Sequence, residues 1–127
     1  MSHRTIMYIE DNGSMLELVI RMLQSKGYTV VAETNGYSGL TSIRKQQPDL
    51  ILLDINMPGM SGYEVLAEIR KDSEIAHLPV IALTANGLQG SREECLNAGF
   101  DEYIAKPITR QELTSLVEDV LARRQAS

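Results

Sequence analysis

Tryptophan is absent from this chain, phenylalanine and cysteine occur once each, and histidine occurs twice. So few aromatics leave no stacking platform for nucleobases. The lone Cys95 excludes a disulfide framework and any cysteine-based metal site, and it fits a reducing cytoplasm. His3 and His77 have no partner pattern for metal binding or nucleophilic work, so surface or loop positions are expected for both. Positive charge is also short: 12 Lys and Arg against 17 Asp and Glu leave a net charge of −5, which argues against a nucleic-acid surface. No apolar run approaches the roughly 18 residues that span a bilayer, and no signal-peptide pattern opens the chain. No repeat, low-complexity segment or Pro/Gly/Ser-rich linker divides it. The expectation is one domain, 1–127, that stops about where its last helix does, with no output domain attached.

What the sequence has is alternation. Apolar runs of strand length near 5–9, 28–33, 49–53, 79–83 and 102–105 are separated by segments of helical period. That is the pattern of a parallel sheet built from right-handed βαβ units. The run Leu50-Ile51-Leu52-Leu53 is continuously apolar, as expected of a strand covered on both faces. Leu16, Val19, Ile20 and Leu23 form one helical stripe, stopped by Gly27. Leu40 and Ile43 mark a second helix closed by Pro48. Val65, Leu66 and Ile69 mark a third, reached through Pro58-Gly59-Met60-Ser61-Gly62. Cys95, Leu96 and Ala98 mark a fourth, ended by Gly99. Leu113, Leu116, Val117, Val120 and Leu121 define a fifth, with Thr109 as N-cap and Glu112 three residues on. The fold class is α/β, (βα)5, with helices 1 and 5 expected on one face of the sheet and helices 2 to 4 on the other.

In a parallel sheet the strand ends share one edge, where open α/β sheets bind ligands. Here those ends carry Glu10-Asp11, Asp54, Thr84 and Lys106. Two like charges about 4 Å apart repel by roughly 4 kcal/mol at an effective dielectric of about 20, so three acids in one cleft want a proton or a cation. Hard oxygen ligands suit Mg²⁺, with Glu10, Asp11 and Asp54 as side-chain candidates and the main-chain carbonyl of Asn56 as a fourth. A carboxylate is already a nucleophile at pH 7. To meet an anionic phosphoryl group it needs charge neutralisation, which a divalent ion and Lys106 would supply. The Thr84 hydroxyl can donate to a phosphoryl oxygen. Taken singly, each acid could instead be a solvated helix cap.

The stretches Ile9-Glu10-Asp11-Asn12, Asp49 to Gly62 (DLILLDINMPGMSG), Leu83-Thr84-Ala85 and Tyr103-Ile104-Ala105-Lys106-Pro107 give the chain its resemblance to the receiver domains of two-component response regulators. The resemblance extends over nearly the whole length. It implies a flavodoxin-like, five-stranded parallel sheet in the order 2-1-3-4-5. It implies Asp54 as the phosphoacceptor and modified residue, Glu10 and Asp11 as the Mg²⁺ acids, Thr84 as the switch hydroxyl and Lys106 as the phosphate-binding ammonium. Tyr103 matches the switch aromatic, and Lys106-Pro107 the position of a cis peptide. Asn56 and Asn86 border the path of the hydrolytic water. The implied partners are a sensor histidine kinase or a His-phosphotransfer protein, and a downstream target met on the face of the fourth helix, fifth strand and fifth helix. No direct nucleic-acid or membrane contact is expected, and the state is a monomer or a phosphorylation-dependent dimer in the cytoplasm.

Other readings stand beside this one. Tyr103 as a plain strand tyrosine, Gly87, Gly90 and Gly99 as hinges or ordinary turn glycines, and Met57 and Met60 as an exposed docking surface or as loop packing are all open. Cys95 is expected to pack as a small helix residue. The charged side of the last helix (Glu112, Glu118, Asp119, Arg123, Arg124) is expected to be solvated. A flavin or nucleotide binder on the same fold is disfavoured because Glu10-Asp11 would repel a bare phosphate. A pseudo-receiver is disfavoured because every site residue is present. The stretch Asn86 to Ile108 is similar to receivers of hybrid kinases and phosphorelays, while Met1 at the start favours a stand-alone regulator. The chain is expected to be no enzyme in the ordinary sense, catalysing only its own phosphorylation and hydrolysis.

Overall fold

The computed structural model describes residues 4–84 and 92–126. Ten elements alternate: β1 (Thr5–Ile9), α1 (Gly13–Gln24), β2 (Thr29–Glu33), α2 (Gly36–Gln46), β3 (Leu50–Asp54), α3 (Gly62–Lys71), β4 (Val80–Thr84), α4 (Arg92–Ala98), β5 (Glu102–Ala105) and α5 (Arg110–Ala126). The strands form one parallel sheet in the order β2-β1-β3-β4-β5. The expected architecture and strand order are therefore observed. His3, Ala85, Asn86, Gly87 and Gly90 lie outside the described residues, as does the side chain of Arg124.

The continuous apolar runs split by strand period into two cores. Met7, Ile9, Ile51, Leu53, Val80 and Ala82 pack with Leu40 and Ile43 of α2, Val65, Leu66 and Ile69 of α3, and Cys95 of α4. Ile6, Tyr8, Leu50, Leu52, Ile81 and Leu83 pack on the opposite face with Val19 and Leu23 of α1 and Leu113, Val117 and Val120 of α5. Helices 1 and 5 thus share one face, as expected, and every residue of β3 is buried.

Local chemistry sets the helix ends. Asn12 caps α1 by accepting the Met15 N–H at 3.0 Å. Thr109 caps α5, accepting the Glu112 N–H at 3.2 Å and donating back to Glu112 Oε1 at 3.1 Å. Pro48 bars the helical region to the residue before it, and Gln47 ends α2 in the left-handed conformation at φ 50°. Ser61 and Glu64 open α3 with a reciprocal capping box. Gly62 sits so close beneath β3 that an added Cβ would lie 2.5 Å from Ile55 Cα and 2.7 Å from the Asp54 carbonyl oxygen. Only glycine fits that seat.

At the far edge of the sheet Arg70 closes several loops at once. Its guanidinium donates to the carbonyls of Ala76 and Leu78, each at 2.8 Å, and to Gly99 O at 2.7 Å. It also reaches Asp101 Oδ2 at 3.0 Å, an oxygen that in turn accepts the Val80 N–H at 2.8 Å. Gly99, at φ 114°, is a turn glycine whose carbonyl this arginine holds. Met57 is buried in the core and Met60 packs half-buried against the same cluster, so of the two open readings loop packing is the one observed. The turn from Met57 to Gly62 buries the Met57 side chain and leaves Met60 half-buried. His77 is exposed and Cys95 buried, each as expected.

Candidate active site at the strand ends

Register brings the polar strand ends level. Ile9 lies opposite Leu53, Asp54 opposite Leu83, and Thr84 opposite Ala105. Ladder bonds continue past the expected strand limits, from Ile55 N to Leu83 O at 3.0 Å and from Lys106 N to Thr84 O at 2.9 Å. Asp54 and Thr84 are consequently the last residues of their strands, held by the sheet itself.

Glu10, Asp11 and Asp54 each offer a carboxylate oxygen within 4.8 Å of the others. Glu10 and Asp54 are buried and Asp11 is exposed. Lys106 Nζ stands 3.3 Å from Glu10 Oε1 and 3.7 Å from Asp54 Oδ2. The Asn56 N–H donates to Asp54 Oδ1 at 2.9 Å, fixing the carboxylate from its own loop. The Lys106-Pro107 peptide is cis, as expected. Thr84 is fully buried at the end of β4, and Tyr103 is half-buried on β5. The structure thus brings together Glu10, Asp11, Asp54 and Lys106, with the Asn56 N–H bonded to the Asp54 carboxylate and Thr84 tied to Lys106 through the main chain.

Three carboxylates and one ammonium leave excess negative charge, two of the carboxylates, Glu10 and Asp54, being buried. Burial, then contact with Asp54, pushes the Glu10 carboxyl up to about 7, against the opposing pull of Lys106 and Tyr8. A group driven to keep its proton marks a place where a cation is welcome. The donor set is all oxygen and carboxylate-rich, so it fits a hard divalent ion such as Mg²⁺, held by Glu10, Asp11 and Asp54.

Two features escaped the sequence reading. Tyr8, fully buried on β1, donates its hydroxyl to Glu10 Oε1 at 3.0 Å. Burial, followed by the charges of Glu10 and Asp54, holds its phenol far above the ordinary value, so it remains a neutral donor. The available signal was strand period two, which places side chains 8 and 10 on one side of the sheet. The second feature is Glu102, buried at the start of β5. It accepts from Arg92 Nε at 3.1 Å and Nη2 at 3.0 Å, and Arg123 Nη2 lies 3.5 Å away. Burial would raise this carboxyl, yet Arg92, the Tyr103 N–H and Arg123 together hold it below the ordinary range. Beside it runs a groove of about 430 Å³ lined by Tyr103, Glu112, Leu116 and Asp119, none of them a site carboxylate. Glu112, Glu118, Asp119 and Arg123 are exposed as expected, with Arg123 reaching from that face to Glu102 at 3.5 Å and to Asp119 at 3.7 Å.

Comparison with known proteins agrees with this geometry. Residues 6–118 match the family described as the response regulator receiver domain. The polar-differentiation response regulator DivK of Brucella anthropi is 38% identical over 106 residues, covering 84% of this chain and 86% of that protein. Among solved structures, a putative response regulator from Chloroflexus aurantiacus superposes with a TM-score of 0.90 at 30% identity, over 95% of this chain and 99% of that one. The receiver domain of the sensor histidine kinase PA1611 from Pseudomonas aeruginosa, with a magnesium ion coordinated in its active-site cleft, gives 0.87 at 38% identity, over 95% and 99%. Among the described residues no helix is long and apolar enough to cross a membrane. On the extent of these matches, the chain belongs to the response regulator receiver domain family of two-component signalling.

Proposed function

We propose that this receiver is a phosphorylation-dependent switch that takes a phosphoryl group onto Asp54 from a phosphohistidine donor, either a sensor histidine kinase or a His-phosphotransfer protein. The observation that carries the reading is the pairing of Asp54 Oδ2 with Lys106 Nζ at 3.7 Å inside the carboxylate trio. An Asp54 oxygen attacks phosphorus, the phosphorus–nitrogen bond of the donor breaks, and its electron pair returns to the imidazole. Hydrolysis of the acyl phosphate restores the carboxylate and releases inorganic phosphate. Lys106 meets a phosphoryl oxygen, and Glu10, Asp11, Asp54 and the Asn56 carbonyl are assigned to the ion. Mg²⁺ bound there supplies the neutralisation that lets two anions approach.

The new dianionic group draws the Thr84 hydroxyl, and Tyr103 turns inward to fill the space left behind. Targets then read the α4-β5-α5 face by protein contact, in the cytoplasm, with the domain as a monomer or a phosphorylation-dependent dimer. The chemistry is confined to the protein's own aspartate, so the chain is assigned as a single receiver unit and not as an enzyme. A second reading, an intermediate receiver acting with a hybrid kinase in a phosphorelay, is supported by the 38% identity to the receiver of a sensor histidine kinase. Incubation with a small phosphodonor and Mg²⁺, followed by intact mass, tests the proposal. One phosphoryl group should be gained by the wild type and none by Asp54→Asn or by chelated protein; no gain with any donor would leave an unphosphorylated interaction module. Transfer onward to a phosphotransfer histidine would select the relay reading.

A further inference from the structure

Tyr8 belongs to the hydrophobic core by packing and to the acidic site by its hydroxyl. The ring is enclosed with Ile6, Leu50 and Leu52 between the sheet and helices α1 and α5. The hydroxyl reaches Glu10 Oε1 at 3.0 Å, the same oxygen that Lys106 Nζ approaches at 3.3 Å, while Glu10 Oε2 accepts the Asn12 N–H at 3.3 Å. Both oxygens of this buried carboxylate are therefore held, one of them from inside the core. The receiver resemblance assigns no role to position 8, and an aliphatic strand residue there would leave Glu10 without that donor.

We propose that Tyr8 is a positioning residue for the divalent-cation site, its hydroxyl fixing the rotation of the Glu10 carboxylate and thereby setting the affinity for the ion. This rests on the assignment of Glu10, Asp11 and Asp54 as cation ligands. Outer partners that orient a ligating carboxylate are worth about 10–100-fold in metal affinity. The arrangement also makes Tyr8 a built-in reporter, because an ion that draws on Glu10 alters the hydrogen bond its phenol donates. With no tryptophan in the chain, tyrosine signals are unobscured.

The experiment is a calorimetric Mg²⁺ titration of the full chain as wild type, Tyr8→Phe and Glu10→Gln. It is paired with NMR of carbon-labelled tyrosine in the wild type, the Tyr8 resonance being assigned by its absence from Tyr8→Phe. Expected are a roughly tenfold rise in Kd for Tyr8→Phe with its melt still cooperative, and a Tyr8 resonance that shifts with ion occupancy. A purely structural role would leave that resonance indifferent to the ion. Unchanged affinity in Tyr8→Phe, or an indifferent Tyr8 resonance in the wild type, overturns the inference. If Glu10→Gln loses the ion while Tyr8→Phe keeps it, this inference alone fails. If the wild type takes up no Mg²⁺, the assignment of the ligands fails with it.

Discussion

Glu10 is a carboxylate kept from water between another carboxylate, an ammonium and a phenol, and its protonation follows from that company. In the metal-free protein its carboxyl titrates near 7 in place of the usual 4.5. Between those values the folded chain binds a proton that the unfolded chain has released, so stability falls as pH rises through the window. The expected drop is on the order of 1–3 kcal/mol from about pH 5 to about pH 8. Thermal melts in chelator across that range should show it, and Glu10→Gln should flatten the slope and raise the alkaline-side Tm. A wild-type melting temperature that climbs toward pH 8 would contradict the electrostatic account. Glu102, held below the ordinary range, acts in the opposite sense and only at more acidic pH. The residue scale is also where sequence reading ran out. Asp54, Glu10, Asp11 and Lys106 could be placed because each terminates or follows a strand. Tyr8 could not, because an apolar run hides a hydroxyl whose partner is visible only once the side-chain face is considered.

At the scale of elements, the strand ends carry the site and the opposite edge carries the clamp. Arg70 on α3 ties the α3–β4 connection, the α4–β5 turn and the start of β4 into one network. Arg70→Met keeps much of the stem but leaves several carbonyls without their charged donor and the Asp101 carboxylate with only the Val80 N–H among the described residues. A loss of about 1–3 kcal/mol is expected, measurable as a lower urea midpoint with little change in slope. Asp54 lies at the other edge of the sheet, so the site geometry should survive the change. This network was invisible in the sequence because its members sit at separations of 6, 8, 29 and 31 residues from Arg70 and obey no period. The helices themselves were readable from their stripes and caps, and Thr109 with Glu112 performs the expected capping. The ends of β3 and β4 ran one residue further than the apolar runs. Ladder hydrogen bonding follows the main chain and is indifferent to whether the side chain is apolar.

For the whole molecule, the balance to watch is between a tightly packed interior and a charge excess lodged at its rim. A cation that binds only the folded state stabilises it by mass action, about 2.7 kcal/mol at a hundredfold excess over Kd. For a domain of this size that is about 10 °C in Tm. Differential scanning with and without saturating Mg²⁺ should show a rise of this order, and Asp11→Asn should shrink it; equal melting with and without the ion would contradict the site. Fold class was open to sequence reasoning, because buried parallel strands are continuously apolar and their connections have one hand; the strand order came from the resemblance to receiver domains. The burial of Met57 was one of two readings the sequence left open, since loop residues follow the cavity beneath them and not a repeat.

Beneath Asp54, the first turn of α3 rests directly on main chain, with Gly62 supplying no side chain as cushion. Any tilt of that helix is therefore delivered undamped to the aspartate. Under the proposed function, a substitution that rocks the foot of α3 is expected to change the phosphorylation kinetics of Asp54 from a distance.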